Sequence, residues 1–185
     1  MILIPIPATI SEDSDPTRNP VNLINLCIEE ADRGMINGVI LKKLVRHCDD
    51  RGFFQEILRC DEGLLAQFGQ SSMAKTFPGV IKAFHYHKLQ EDLWFFPVGQ
   101  AQVVLHDLRE DSATYRETNV FYPGEDNPIL ILIPKGVAHG YSTLGSTPAV
   151  ILYFTSLAYD RENPDEFRLP YDDPGIGFDW RTKMR

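Results

Sequence analysis

Cysteine, positive charge and long apolar runs are all scarce in this chain of 185 residues, and each scarcity excludes something. The three cysteines, Cys27, Cys48 and Cys60, are odd in number and lack CxxC spacing. They give no disulfide framework and suit free thiols in a reducing compartment; each reads as a small buried hydrophobe. Lys and Arg total 18 against 26 Asp and Glu, a net charge of −8. A duplex-binding surface shows the opposite balance, so no nucleic-acid partner is expected. The longest apolar stretches, such as 129–134, fall far short of the roughly 20 residues a bilayer span needs. The opening Met-Ile-Leu-Ile-Pro-Ile-Pro has no basic region ahead of its apolar residues, unlike a secretory signal. A cytoplasmic protein with no membrane partner is the expectation.

What is present is an ordinary globular composition, 43% hydrophobic and 24% charged, of a length that suits one domain. Residues 8–20 are polar and proline-bearing, a loop or loose arm. Asn19-Pro20 reads as an N-cap followed by proline at the first helical position. Leu23, Ile24, Cys27, Ile28 and Ala31 then recur at helical spacing up to Gly34. From Gly38 the texture changes to short β-rich runs at 39–46, 64–69, 79–88, 92–98, 101–108, 115–122, 129–134, 138–143 and 148–156, punctuated by Gly, Pro, Asn and Asp. Many short strands without helical periodicity predict an all-β sandwich or barrel. The division is then an arm and helix over 1–37 and a β domain over 38–185, with the tail 159–185 wrapped around the barrel. Trp94, Phe95 and Phe96 are core candidates; His47 and His106 read as surface or structural.

The segment Gly79-Val-Ile-Lys-Ala-Phe-His85-Tyr-His87-Lys-Leu-Gln-Glu91-Asp92 holds the densest chemistry. On a strand His85 and His87 share a face, and Glu91 has the same parity if the strand continues that far. With Pro134-Lys-Gly136-Val-Ala-His139-Gly140, this resembles the two motifs of the cupins, double-stranded β-helix barrels that hold a metal with three His and a Glu. That resemblance implies His85, His87, Glu91 and His139 as ligands, a donor set suited to Zn²⁺, Fe²⁺ or Mn²⁺. A solvated barrel mouth is the plain alternative for His87 and Glu91.

A longer series competes with the metal reading. Asp50-Arg51-Gly-Phe-Phe54-Gln-Glu56, Lys82-Ala-Phe-His85-Tyr, Asp107-Leu-Arg-Glu-Asp-Ser-Ala-Thr-Tyr115, Ile133-Pro-Lys-Gly-Val-Ala-His139-Gly-Tyr141 and Tyr171-Asp-Asp-Pro174 through Gly177-Phe-Asp-Trp180 follow in order. Over roughly residues 45–180 this resembles the dTDP-4-dehydrorhamnose 3,5-epimerase family, a metal-free branch of the cupin fold. The resemblance implies a jelly-roll barrel with a short N-terminal helix, no cofactor, and a nucleotide-linked 4-keto-6-deoxy sugar as substrate. It implies His85 as the base that removes a proton beside the keto group and Tyr153 as the acid that returns one to the opposite face. Imidazole and phenol suit those two tasks. It places Arg51, Phe54, Glu56 and Gln70 at the nucleotide, Lys82 at the phosphate or sugar, and His139 at the same mouth. It further implies a homodimer with exchanged N-terminal strands, the Arg51 segment reaching the neighbouring barrel.

Some family positions are replaced. The family Arg before the catalytic His is Lys82, the Lys expected to stabilise the enolate is Asp92, and the Asp that partners the second-motif His is Val103. The family's C-terminal Ser-x-Lys-Asp segment, whose Asp pairs with the catalytic His, is not matched here, and His87, Glu91 or Asp92 could supply that orientation to His85. An enzyme of this kind, a metal-dependent cupin and an inert sugar-nucleotide binding protein remain the three readings of the sequence.

Overall fold

The computed structural model describes residues 34–183. The helix expected up to Gly34 therefore lies outside the described residues, as does Cys27. Twelve strands run through the described part: β1 (Ile40–Lys43), β2 (His47–Asp49), β3 (Gly52–Phe54), β4 (Gln70–Thr76), β5 (Ile81–Tyr86), β6 (Asp92–Val98), β7 (Gln100–Asp107), β8 (Thr118–Phe121), β9 (Ile129–Ile133), β10 (Val137–Leu144), β11 (Ala149–Thr155) and β12 (Phe167–Arg168). They form two five-stranded sheets, ordered β1-β9-β6-β11-β4 and β12-β5-β10-β7-β8, and a separate β2–β3 hairpin. Every pairing in the two large sheets is antiparallel, and non-consecutive strands lie side by side. The all-β class expected from the strand pattern, and the jelly-roll barrel that the resemblance implied, are the fold observed. No helix among the described residues is long and apolar enough to cross a membrane.

Apolar runs such as Leu93–Phe96 do not alternate because both faces of these strands are covered, the condition under which a strand reads as continuously hydrophobic. Trp94, Phe96, Val103, Leu105, Ile131, Tyr141 and Ile151 face inward and fill the barrel together with Ile36. Leu93, Phe95, Leu130 and Leu132 point outward from the first sheet and are roofed by Leu44, Leu64 and the segment around Ile57. On the outer face of the second sheet Phe84, Val104 and Ala138 lie under the tail residues Leu169, Ile176, Phe178 and Trp180. The Phe84 and Trp180 rings sit 5.3 Å apart. The tail wraps the barrel as its composition suggests, and Trp94, Phe95 and Phe96 are all core.

Three expectations are corrected. The run 64–69 is not a strand; the strand lies just after it, at β4, whose small and polar residues alternate in burial. Leu64 instead caps the outer cluster. Cys48 and Cys60 are exposed, not buried, because Cys48 sits on a two-stranded hairpin and Cys60 on a single 3-10 turn. His106 is structural, as read, but buried, with its Nδ1 2.8 Å from the Thr118 hydroxyl.

One contact in the second sheet decides the spacing of the site. Strands β10 and β5 are in register at His139 and His85, then slip between His139 and Tyr141. At that slip Gly140 lies so close to β5 that a methyl group in its place would stand 2.3 Å from the Ala83 Cβ and 2.9 Å from the Lys82 carbonyl oxygen. Glycine is required there by the close approach of two backbones. Gly140→Ala is expected to lower stability by about 1–3 kcal/mol, the usual cost of overpacking, read as a fall in the urea midpoint at unchanged slope.

Candidate active site

A cavity of about 1070 Å³ opens between the two sheets. Strand β5 contributes Lys82 and His85, β4 contributes Gln70, β11 contributes Tyr153, and the tail contributes Arg161 and Arg168. His85 and Tyr153 thus stand on opposite sheets of one cavity. Among the described residues the Tyr153 hydroxyl has no hydrogen-bond partner, and the half-buried side chain lines the cavity. Gln70 is fixed by two contacts, giving an N–H to the Ser72 hydroxyl at 2.9 Å and accepting the Tyr159 backbone N–H at 3.0 Å.

Behind His85 lies a set of groups that sequence parity only partly foresaw. His139 is 1% exposed, and its Nδ1 donates to the Val137 carbonyl at 2.9 Å. Its Nε2 lies 2.9 Å from the His85 Nε2. With the His139 proton committed to Nδ1, the neutral pair is satisfied when His85 donates its Nε2–H to His139 and keeps a lone pair on Nδ1. Trp94 packs edge-on against His139, ring centres 5.0 Å apart.

Asp92, not Glu91, is the carboxylate of this cluster. The strand does not continue from His87 to Glu91: a turn at Lys88–Gln90 intervenes, so parity is reset and the first residue of β6 points inward. The Glu91 carboxylate faces away and meets the Ala66 backbone N–H at 3.4 Å. Nor is His87 part of a solvated mouth, for it is 6% exposed. The Asp92 carboxylate accepts from Gln90 Nε2 at 2.7 Å and Trp94 Nε1 at 3.1 Å. It stands 3.5 Å from His87 Nε2 and 3.7 Å from His139 Nε2. The turn is held by Asp165 of the tail, which accepts the backbone N–H groups of Lys88, Leu89 and Gln90 at 2.9, 2.8 and 2.9 Å and takes the His87 Nδ1–H on its carbonyl.

Charge states follow from these neighbours. Burial first, then the adjacent His139 and His87, push His85 down to about 2, which keeps it neutral. Burial also disfavours a charged His87, but the Asp92 carboxylate and the Asp165 carbonyl outweigh it and raise its pKa. Burial raises Asp92, and the hydrogen bonds and charges of His139 and His87 more than reverse that, holding it well below the usual carboxylate range. The site is therefore a buried anion facing imidazoles, beside one neutral imidazole at the cavity wall.

Arg51, Phe54 and Glu56 are not brought to this cavity within the chain. They sit on and just after the β2–β3 hairpin, with Arg51 paired to Asp49 and 84% of its side chain exposed, and Glu56 paired to Arg59. Phe54 is 64% exposed. Arg161 and Arg168 were missed as cavity cations, because nothing in the local sequence of the tail shows that it returns to the cavity.

The model of the dTDP-4-dehydrorhamnose 3,5-epimerase family matches residues 33–185. A spore coat polysaccharide biosynthesis protein, SpsL, of Bacillus subtilis is 64% identical over 82% of this chain and all of its own length. A probable low-salt glycan biosynthesis epimerase of Haloferax volcanii is 36% identical, covering 80% of this chain and 97% of the relative. Among solved structures, a dTDP sugar isomerase from Desulfovibrio desulfuricans superposes with a TM-score of 0.74 at 32% identity, over 78% of this chain and 92% of the other. The epimerase of Legionella pneumophila, solved in complex with dTDP-4-keto-L-rhamnose, gives 0.71 at 29% identity, over 79% of this chain and 80% of the other. A match along the whole described barrel, with the motif residues at the places just described, establishes that this chain belongs to the dTDP-4-dehydrorhamnose 3,5-epimerase family.

Proposed function

We propose that this chain is a sugar-nucleotide epimerase that inverts a carbon beside the 4-keto group of a nucleotide-linked 6-deoxy sugar. The observation that carries the reading is the opposition of a neutral imidazole, His85, and an unpartnered phenol, Tyr153, across one cavity large enough for a hexose and its diphosphate. The keto group acidifies the neighbouring C–H bond. The His85 Nδ1 lone pair takes that proton, leaving an enolate, and the Tyr153 O–H delivers a proton to the other face of the same carbon. Solvent then removes the proton from His85 and restores that of Tyr153. An imidazolium with a pKa as low as that of the open site is a poor proton store; the Asp92 carboxylate behind His139 is the group whose charge favours it. Lys82, Arg161 and Arg168 are the cations available to the enolate and phosphates, in place of the family Lys that Asp92 replaces.

The nucleotide contacts come from a second copy of the chain. The β2–β3 hairpin forms its own two-stranded sheet, outside both large sheets, and exposes Phe53 and Phe54 as well as Arg51. Exposed aromatics beside an Arg fork suit a base and a diphosphate. In a homodimer with exchanged N-terminal segments, Arg51, Phe54 and Glu56 of one copy complete the cavity of the other.

Incubation with a 4-keto-6-deoxy sugar nucleotide in D₂O should put solvent deuterium beside the keto group. His85→Ala should lose at least about 10²-fold of that rate, the lower end of what a general base supplies; an undiminished rate would remove His85 from the mechanism.

Tyr153→Phe separates the two proton transfers. Exchange should outlast inversion in this variant, and equal retention of both would assign the acid elsewhere.

Arg51→Ala should weaken nucleoside diphosphate binding by about ten- to a hundredfold, from the roughly 1.5–3 kcal/mol of a charge-assisted pair. Calorimetry reads the affinity and sedimentation the dimer, and an unchanged affinity would refute the nucleotide assignment.

A further inference from the structure

The floor of the cavity gathers three imidazoles and one carboxylate within reach of a single point. His87 and His139 each give their Nδ1–H to a backbone carbonyl, of Asp165 and Val137 respectively. Each therefore turns an Nε2 lone pair inward in its neutral form, that of His87 3.3 Å from the Gln90 amide nitrogen and that of His139 beside His85, and both stand next to an ionised carboxylate, at 3.5 and 3.7 Å. The Nε2 atoms of His85 and His139 are 2.9 Å apart. One ligand atom from each of His85, His87, Asp92 and His139 lies within 4.8 Å of all the others. Three of the four are under 9% exposed, so water competes poorly for the centre.

The same grouping has the dimensions of a cation site. Two donors each about 2.1 Å from one ion stand about 3.0 Å apart at a right angle, about 3.4 Å apart in a tetrahedron and at most about 4.2 Å apart. The separations of 2.9, 3.5 and 3.7 Å lie at or within about 0.1 Å of that range, and no pair of the four ligand atoms is more than 4.8 Å apart. Backbone carbonyls that take the Nδ1–H and aim Nε2 are the outer-shell support that metal-ligating histidines use. Asp92 is steadied in the same way by Gln90 and Trp94.

We infer that His85, His87, Asp92 and His139 bind one divalent transition cation of the Zn²⁺ class, and that the cation and the proton transfer exclude each other. The second half rests on the reading of His85 as the base; the first does not. A neutral imidazole has a single ring lone pair. When His85 Nε2 gives that pair to a cation, the ring proton resides on Nδ1, and no atom of the ring can take a proton from substrate. Nothing is oxidised or reduced: coordination bonds form, and the Nε2 proton is re-sited on Nδ1 through solvent. The same protein thus has a metal-free form competent for exchange and a loaded form that is closed.

The test titrates the metal-free full-length protein with Co²⁺ and Zn²⁺ by calorimetry and reads the Co²⁺-loaded wild type by X-ray absorption. One ion per chain, a shell of imidazole nitrogens with a carboxylate oxygen, and at least about a hundredfold weaker binding in His87→Ala and Asp92→Asn are expected, since even outer-shell losses cost 10–100-fold. The absorption spectrum needs no variant, so a variant that fails to fold does not shield the idea. No binding by the wild type at millimolar metal, a shell without imidazole, or unchanged affinity in both variants overturns the site. Full Zn²⁺ loading should suppress deuterium exchange at least about tenfold, and exchange that persists at full occupancy overturns the exclusion. Should the metal-free protein show no exchange on any 4-keto sugar nucleotide, the epimerase reading and the exclusion built on it fall together, while the titration decides the cation site alone.

Discussion

A carboxylate taken out of water costs several kcal/mol unless its lone pairs are met, and Asp92 imposes that requirement on the floor of the barrel. Gln90 and Trp94 meet it from the same stretch of chain, while His87, just after β5, and His139, on β10, stand beside it at 3.5 and 3.7 Å. Each partner then needs support of its own. His87 is held by the tail through Asp165, His139 by the Val137 carbonyl, and His85 by His139. Two sheets, one turn and the C-terminal wrap thus converge on a single buried charge.

That convergence accounts for the family departures as a set. Where the resemblance implies a Lys and an Asp, this chain has Asp92 and Val103. Val103 is fully buried in the barrel core, and the acidic partner of His139 comes instead from β6, close to the His139 Nε2. Cations reach the cavity from another direction, through Arg161 and Arg168 of the tail. Negative charge thus reaches the imidazoles from β6, and positive charge reaches the cavity from the tail.

The tail and the hairpin play complementary parts in this. The tail buries Phe84 under Trp180 and Phe178, so the strand carrying His85 is anchored on its outer face while its inner face stays open. The β2–β3 hairpin makes no such attachment. It leaves Phe53, Phe54 and Arg51 in solvent, a costly display for an isolated chain and a natural one for a segment that docks on a second barrel.

The sequence by itself determined the strand-rich class, the core identity of Trp94–Phe96 and the wrapping tail, because period-two patterning acts over a few residues at a time, while the family resemblance singled out His85, Gln70, Lys82 and Tyr153, all of which line the cavity. It misplaced the strand after Gly69, since the residues of β4 are small and polar and show their alternation only against a partner strand. Its choice of Glu91 over Asp92 failed for a related reason: counting by twos assumes an unbroken strand, and the turn at Lys88–Gln90 is fixed by Asp165, some 75 positions away. Tertiary structure alone decided which carboxylate is buried, that Arg161 and Arg168 reach the cavity, and that His139 meets His85 across the gap only Gly140 permits. Those are contacts between residues distant in the chain, and no local pattern of residues encodes the direction from which a distant charge arrives.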